Sequence, residues 1–337
     1  VHWIGLVESP DHVCCRYRLA AFRPYWDAAG HSLELLAIPR NWLARVWLFR
    51  SLQRGNVILQ RRLLAGWQLA LLRRTARRLV FDMDDAVFLR DSYSPKGLHD
   101  RRLVRRFAAT VRACDAIVAG NAFLREQAAG RRGSRPVHVI PTCVDVGRYP
   151  MAEHLRPPGD AQMVWVGSLS TLQGLVQAAP LLEELGRRLG GLRLKLVCDR
   201  FVRWRHLPVI ECPWDEAREP SAIAAADIGI SWLPDDLWSR GKCGLKVLQY
   251  MAAGLPVVAN PVGVHREMIR HGRTGFLAET PAQWVEAVGR LAHDPPLRRR
   301  MGLAGRRLVE AGYGVESGAA RWLLLFDHLA GTVARAA

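Results

Sequence analysis

Short apolar runs alternate with helix-like stretches along this chain, and the alternation stops once and then starts again. In the first half the strand candidates are Trp3–Val7, Leu33–Ile38, Asn56–Leu59, Leu79–Phe81, Ala116–Ala119 and Val137–Ile140. Helical stretches such as Arg16–Ala29 lie between most of them. Strands separated by helices return by crossovers rather than hairpins, which makes a mostly parallel sheet covered on both faces. Pro150, Pro157, Pro158 and Gly159 then interrupt the pattern. It resumes with strands at Met163–Val166, Leu192–Val197, Asp227–Trp232 and Pro256–Ala259. Helices are expected at Leu172–Gly190, Lys242–Ala253, Trp284–Ala292, Leu297–Glu310 and Arg321–Leu329. The expected architecture is α/β in two domains, residues 1–155 and 156–315, with a helical segment 316–337 packing back toward the first. In such units ligands bind where the carboxyl ends of the strands meet a cleft.

The chain has 337 residues, half of them apolar, which suffices for two cored domains. Its formal net charge of +17 is lopsided: residues 1–160 hold 26 Lys and Arg against 14 Asp and Glu, a net of +12. Such a field attracts anionic membrane, nucleic acid or small anions; an arginine-rich solvated face is the plain alternative. No helix-turn-helix, zinc-finger or RNP pattern supports nucleic acid as the partner. Seven cysteines are scattered without a CxxC pair, so neither a zinc site nor a disulfide framework is expected and a reducing compartment is. The longest apolar run, about Leu63–Leu72, is interrupted by Gln68 and too short to span a bilayer. No secretory signal is recognised, and a cytoplasmic protein is expected.

The most informative stretch is Leu233–Gly263. On a helix over Lys242–Ala253, Lys242, Lys246 and Gln249 share a face, while Val247, Leu248 and Met251 turn toward packing. Only four lysines occur in the chain, and two of them stand here. Cations in the first turns of a helix oppose its dipole unless an anion binds between them. Gly241 and Gly244 permit close backbone approach, so the pattern points to a diphosphate site.

The run LQYMAAGLPVVANPVG, the phrase EMIRHGRTGF and Trp284 resemble the donor-binding domain of glycosyltransferase family 4. So do the text ending at Val164–Ser168, VAGNAFL at Val118–Leu124 and VIPTCVD at Val139–Asp145. The resemblance runs most strongly from Ala116 to Tyr313. It implies a GT-B fold, two Rossmann-like domains with parallel sheets facing across a cleft, a nucleotide-sugar donor, retention at the anomeric carbon, and neither metal nor cofactor. The family's Arg/Lys pair near the first strand of the second domain is absent around Ser168–Leu172, so Lys242 and Lys246 are expected to take over the diphosphate, with Gln249 on the donor ribose. Gly167, Ser168, Gly263 and Val264 supply backbone contacts. The family commonly carries two glutamates separated by seven residues; here those positions are Gly241 and Gln249. An amide can serve a ribose, but the sugar-contacting carboxylate is missing, which raises a non-catalytic binding protein as an alternative.

Leu79–Phe88 ends a strand in Asp82, Asp84 and Asp85. These resemble the first motif of haloacid dehalogenase phosphatases, with Asp82 as nucleophile and Asp84 as acid/base; this is the second alternative. In the favoured reading Asp84 and Asp85 are the catalytic candidates, and Arg16, Arg18 and Asn121 are expected on the acceptor side. The acceptor is expected to be a saccharide or a lipid-linked one, in cell-surface polysaccharide synthesis. Gly97–Arg112 reads as a basic amphipathic helix, with Leu103, Val104, Phe107 and Val111 on one arc and arginines on the other. Asn41–Gln53 adds Trp42 and Trp47 among Arg45 and Arg50. Both suit either ordinary surface helices or a peripheral position on the inner face of an anionic membrane.

Overall fold

The computed structural model describes residues 1–132 and 136–331. The chain divides into two compact units, Val1–Cys143 with Asp236–Cys243 and the helix from Val315, and Val144–Asp235 with Gly244–Gly314.

The first unit runs β1 (His2–Val7), α1 (Val13–Arg18), α2 (Arg23–Ala28), β2 (Ser32–Ala37), α3 (Trp42–Ser51), β3 (Asn56–Gln60), α4 (Gly66–Thr75), β4 (Arg78–Met83), α5 (Arg101–Ala113), β5 (Ala116–Ala119), α6 (Ala122–Arg132) and β6 (Val137–Val139). Its sheet is parallel throughout, in the order β2-β1-β3-β4-β5-β6. The expected single helix at Arg16–Ala29 is broken in two around a 3-10 turn at Ala20–Phe22. Leu19 leaves the helical region and Pro24 stands in the first turn of α2, where a residue without an N–H starts a helix rather than continuing one. One face of the sheet buries Phe49, Leu69, Leu72, Phe81 and Phe107. On the other, α15 (Val315–Ala330) lays Trp322 and Phe326 against Trp3 and Trp26, with Trp3 and Phe326 stacked at 4.1 Å. The basic helix α5 buries Phe107 and Val111 and exposes Arg101, Arg102, Arg105 and Arg112.

The second unit contains β7 (Gln162–Val166), α7 (Leu169–Gln177), α8 (Ala179–Arg188), β8 (Arg193–Cys198), β9 (Val209–Pro213), α9 (Glu219–Ala224) and β10 (Ile228–Ser231). After a short helix α10 (Leu237–Arg240), which belongs to the first unit, it continues with α11 (Leu245–Ala252), β11 (Val257–Ala259), α12 (His265–Met268), β12 (Gly275–Leu277), α13 (Pro281–His293) and α14 (Pro295–Gly312). This sheet too is wholly parallel, in the order β12-β11-β10-β7-β8-β9. Its core packs Trp165, Leu194 and Leu196 against Leu182, Leu185, Trp284, Val288 and Leu291. Pro180 splits the expected helix Leu172–Gly190 into α7 and α8. Strands β9 and β12 escaped the sequence reading. The first is a half-exposed edge with no apolar alternation, and the second is three residues long.

Candidate active site

In each sheet the direction in which successive strands are added reverses once, and the crevice at the carboxyl ends of the two strands flanking that reversal is where doubly wound folds take ligands. That position lies between β1 and β3 in the first unit and between β7 and β10 in the second.

In the first unit, three carboxylates from the end of β4 meet three cations. Arg18 on α1 ion-pairs with Asp82, both side chains at 0% exposure, and also donates to the Ile140 carbonyl. Arg61 follows β3 with a left-handed backbone (φ 58°), unfavourable for a residue with a Cβ. That conformation is secured by its N–H to the Asp82 carbonyl at 2.9 Å and its guanidinium to Asp84 at 2.9 Å and Asp85 at 3.3 Å. Lys242 Nζ completes the set, 2.9 Å from Asp85 and 3.4 Å from the centre of the Trp238 ring. Burial alone would raise the Asp84 carboxyl, but Arg61, Arg18 and the Cys14 thiol outweigh it and hold it below the usual range. Asp84 is therefore an ionised acceptor of hydrogen bonds. Asp82, fully enclosed and paired, is not placed as the nucleophile that the phosphatase alternative requires.

Two residues expected on the acceptor side are instead interior. Arg18 is consumed by Asp82. Asn121 accepts from Leu124 N through Oδ1 and donates through Nδ2 to the carbonyls of Lys242 (2.9 Å) and Arg240. Their polar groups are spent on the fold because buried donors must be paired. Arg16 is half-buried with its guanidinium 5.9 Å from the Tyr17 ring.

Lys242 is not helical, contrary to the expectation: α11 begins at Leu245. Gly244, its N-cap, has φ +66°, and a Cβ there would lie 2.6 Å from Met268 Sδ and 3.0 Å from Val264 Cγ2. Glycine thus serves two purposes, turning the chain into α11 and letting the turn after β11 approach. Gly241 likewise has no room for a side chain, since a Cβ would meet Ala86 Cβ at 2.6 Å and Ala86 N at 2.8 Å. The absent glutamate is thus sterically excluded at this position.

The second unit gathers a different set. Lys246 Nζ lies 4.3 Å from the centre of the Trp165 ring, at the end of β7, two residues before Gly167. No side chain caps the first turn of α11, so dipole and ammonium act on the same side. Gly263 (φ +51°) and Val264 lead into α12, and Val264 packs beside Gly244. His265 is buried; its Nδ1 contacts the Asn260 carbonyl at 2.8 Å and its Nε2 meets Ser231 Oγ at 3.0 Å. The carbonyl can only accept, so Nδ1 carries the proton and Nε2 accepts from the serine. Burial and the nearby Lys246 push its pKa down to about 4 against the hydrogen bond to Asn260, which raises it. Ser168 caps α7, its N–H donating to Thr171 Oγ1 at 3.1 Å. Gln249, expected on the donor ribose, is interior. Its amide nitrogen donates to Tyr149 Oη and to the Glu219 carboxylate, because a buried carboxylate at that distance draws the available N–H.

Residues 160–294 match the family model described as Glycosyl transferases group 1. The chain is similar to a D-inositol 3-phosphate glycosyltransferase of Pseudarthrobacter chlorophenolicus, 31% identical over 195 residues, covering 50% of this chain and 44% of that protein. It is also similar to human alpha-1,3/1,6-mannosyltransferase ALG2, 37% identical over 75 residues, 22% of this chain and 18% of that protein. The chain thus spans less than half the length of these curated relatives. Among solved structures, a sucrose-phosphate synthase of Thermosynechococcus elongatus aligns with a TM-score of 0.71 at 17% identity, covering 98% of this chain and 99% of that one. Anabaena HepE, solved in complex with UDP and glucose, aligns with the same TM-score at 14% identity, covering 97% and 99%. The fold is GT-B, and residues 160–294 are similar to the glycosyl transferases group 1 domain.

Proposed function

We propose that this chain is a glycosyltransferase of hexosyltransferase type. It moves a sugar from a nucleotide-diphosphate donor to a saccharide or lipid-linked acceptor, with retention, in cell-surface glycan synthesis. The observation that carries this reading is that the group 1 match covers the sheet in which Lys246 stands 4.3 Å from the Trp165 ring near the carboxyl end of β7. Departure of a nucleoside diphosphate leaves negative charge on the bridging oxygen. A fixed ammonium beside an uncapped helix start stabilises that charge without reorganising. Lys246 has this role, and Gly167, Ser168, Gly263 and Val264 supply the surrounding backbone. Lys242, ion-paired with Asp85, is the second cation proposed for the phosphates. Asp84 and Asp85 are the carboxylates offered to acceptor hydroxyls. The presence of UDP in HepE makes uridine diphosphate the first ligand to try.

The test is a thermal-shift and calorimetric titration of nucleoside diphosphates and their sugars on the intact chain. Lys246→Ala should weaken the best diphosphate by about tenfold or more, the loss of about 1.4 kcal/mol, while the circular dichroism spectrum stays unchanged. Equal affinity in the variant would remove Lys246 from the site. Sugar transfer, or slow hydrolysis of the nucleotide sugar, separates an enzyme from a binding protein.

A further inference from the structure

Helices α3 and α4 leave four large apolar side chains in water: Trp42 at 58% exposure, Leu43 at 59%, Trp47 at 74% and Trp67 at 52%. Leu43 and Trp47, four residues apart, share one face of α3. Trp42 and Trp67 meet edge to face at 6.1 Å, which joins the two helices into one patch. Packing of the unit does not need these side chains, whose surface stays wet, and grouped exposed apolar residues mark a surface used for binding.

The charge around the patch is predominantly positive. From Leu35 to Phe81 the sequence contains ten arginines and neither Asp nor Glu. Arg40, Arg50, Arg54, Arg74 and Arg77 are exposed, and α5 adds Arg101, Arg102 and Arg105. Hydrogen bonds tie the helix starts together: Arg45 donates to Gln68 on α4 and to the Pro39 carbonyl, and Arg106 on α5 donates to the Leu63 carbonyl. Cations are crowded enough there to disfavour one another. Arg45 is shifted downward by burial and by Arg62, and Arg106 by burial, Arg102 and Arg45. The amino ends of α3, α4 and α5 add their positive dipole ends, although Asn41 and Asp100 satisfy part of the first and third.

We propose that this tryptophan patch and its arginines dock the first unit onto a phospholipid surface carrying anionic headgroups. Indole rings prefer the boundary between headgroups and acyl chains, and guanidinium groups on long stems reach from there to phosphates. The arginines find counter-charge and the apolar groups leave water in the same event. A nucleic acid would reward the arginines and leave Leu43 and Trp47 without a partner. A second copy would bury the tryptophans but set arginine against arginine across the twofold axis. The proposal does not depend on the donor reading.

The experiment is co-sedimentation of the intact chain with vesicles of phosphatidylcholine alone, and with vesicles in which about a third of the lipid is phosphatidylglycerol. Binding to the anionic vesicles should exceed binding to the neutral ones by about tenfold or more and weaken as salt is added. It should come with a blue shift of tryptophan emission. A variant combining Trp42→Ser, Trp47→Ser and Trp67→Ser should lose at least about tenfold in vesicle affinity, with an unchanged melting temperature because the removed groups are exposed. Arg101→Gln, Arg102→Gln and Arg105→Gln together should remove part of the salt-sensitive term. Leu324→Ser, an exposed apolar site on α15 (66%), should bind as the parent does, and so should Lys246→Ala, which keeps this test apart from the donor site. Equal partition onto both vesicles overturns the proposal, as does full binding by the tryptophan variant. A dimer that dissolves in that variant, or RNA binding without vesicle binding, overturns it as well.

Discussion

Asp82 has no exposed surface, and its partner Arg18 has none either. Removing one charge of such a pair strands the other, so Asp82→Asn should cost about 3–5 kcal/mol in urea unfolding. A catalytic nucleophile would instead give a stable protein that had lost phosphate release. His265 yields a pH dependence. Its folded pKa of about 4 lies below the ordinary value near 6.5. The unfolded chain therefore takes up the proton first, and the stability from keeping this imidazole neutral is present above about pH 6.5 and is lost as pH falls toward 4. The contribution is at most about 3 kcal/mol. Between pH 6.5 and 5 the unfolding midpoint carries this contribution together with that of His31, also lowered by burial, so the variant singles out His265. His265→Gln should flatten that slope, and an unchanged slope would assign the pH response elsewhere.

At the scale of elements, two glycines decide the course of the turn from α10 to α11. Gly241 stands where the sequence resemblance would put a glutamate, but Ala86 occupies the space that a Cβ would need. Gly241→Glu should therefore destabilise the chain by about 1–3 kcal/mol through overpacking, without increasing sugar transfer. Higher activity at an unchanged melting temperature would show that the side chain has another way out. Gly244→Ala meets both a left-handed backbone and Met268, and a loss of at least about 1 kcal/mol in denaturant unfolding is expected. The same turn shows why helix spacing alone misplaced Lys242. The period-3.6 pattern continues upstream through residues 241–244, but the left-handed glycine ends the helix there and hands Lys242 to Asp85.

For the whole molecule, the donor reading predicts where a ligand protects the backbone. The nucleoside diphosphate giving the largest thermal shift should slow amide exchange at residues 165–171, 244–250 and 260–268; protection confined to the first unit would reject that reading. Most of the two-sheet architecture was legible in sequence, because parallel strands buried on both faces read as unbroken apolar runs such as Ile117–Ala119 and Met163–Val166. Pattern also singled out Lys246, Gly263 and the aspartates after β4. It did not show who neutralises whom. Arg18, Arg61 and Lys242 come from separate segments, and only their convergence turns Asp82, Asp84 and Asp85 from a free acidic triad into a compensated cluster. Composition and periodicity report what lies near in the chain, within a turn or a strand. Pairing of buried charges depends on residues tens to more than a hundred positions apart, and the desolvation that forces that pairing exists only once the chain is folded.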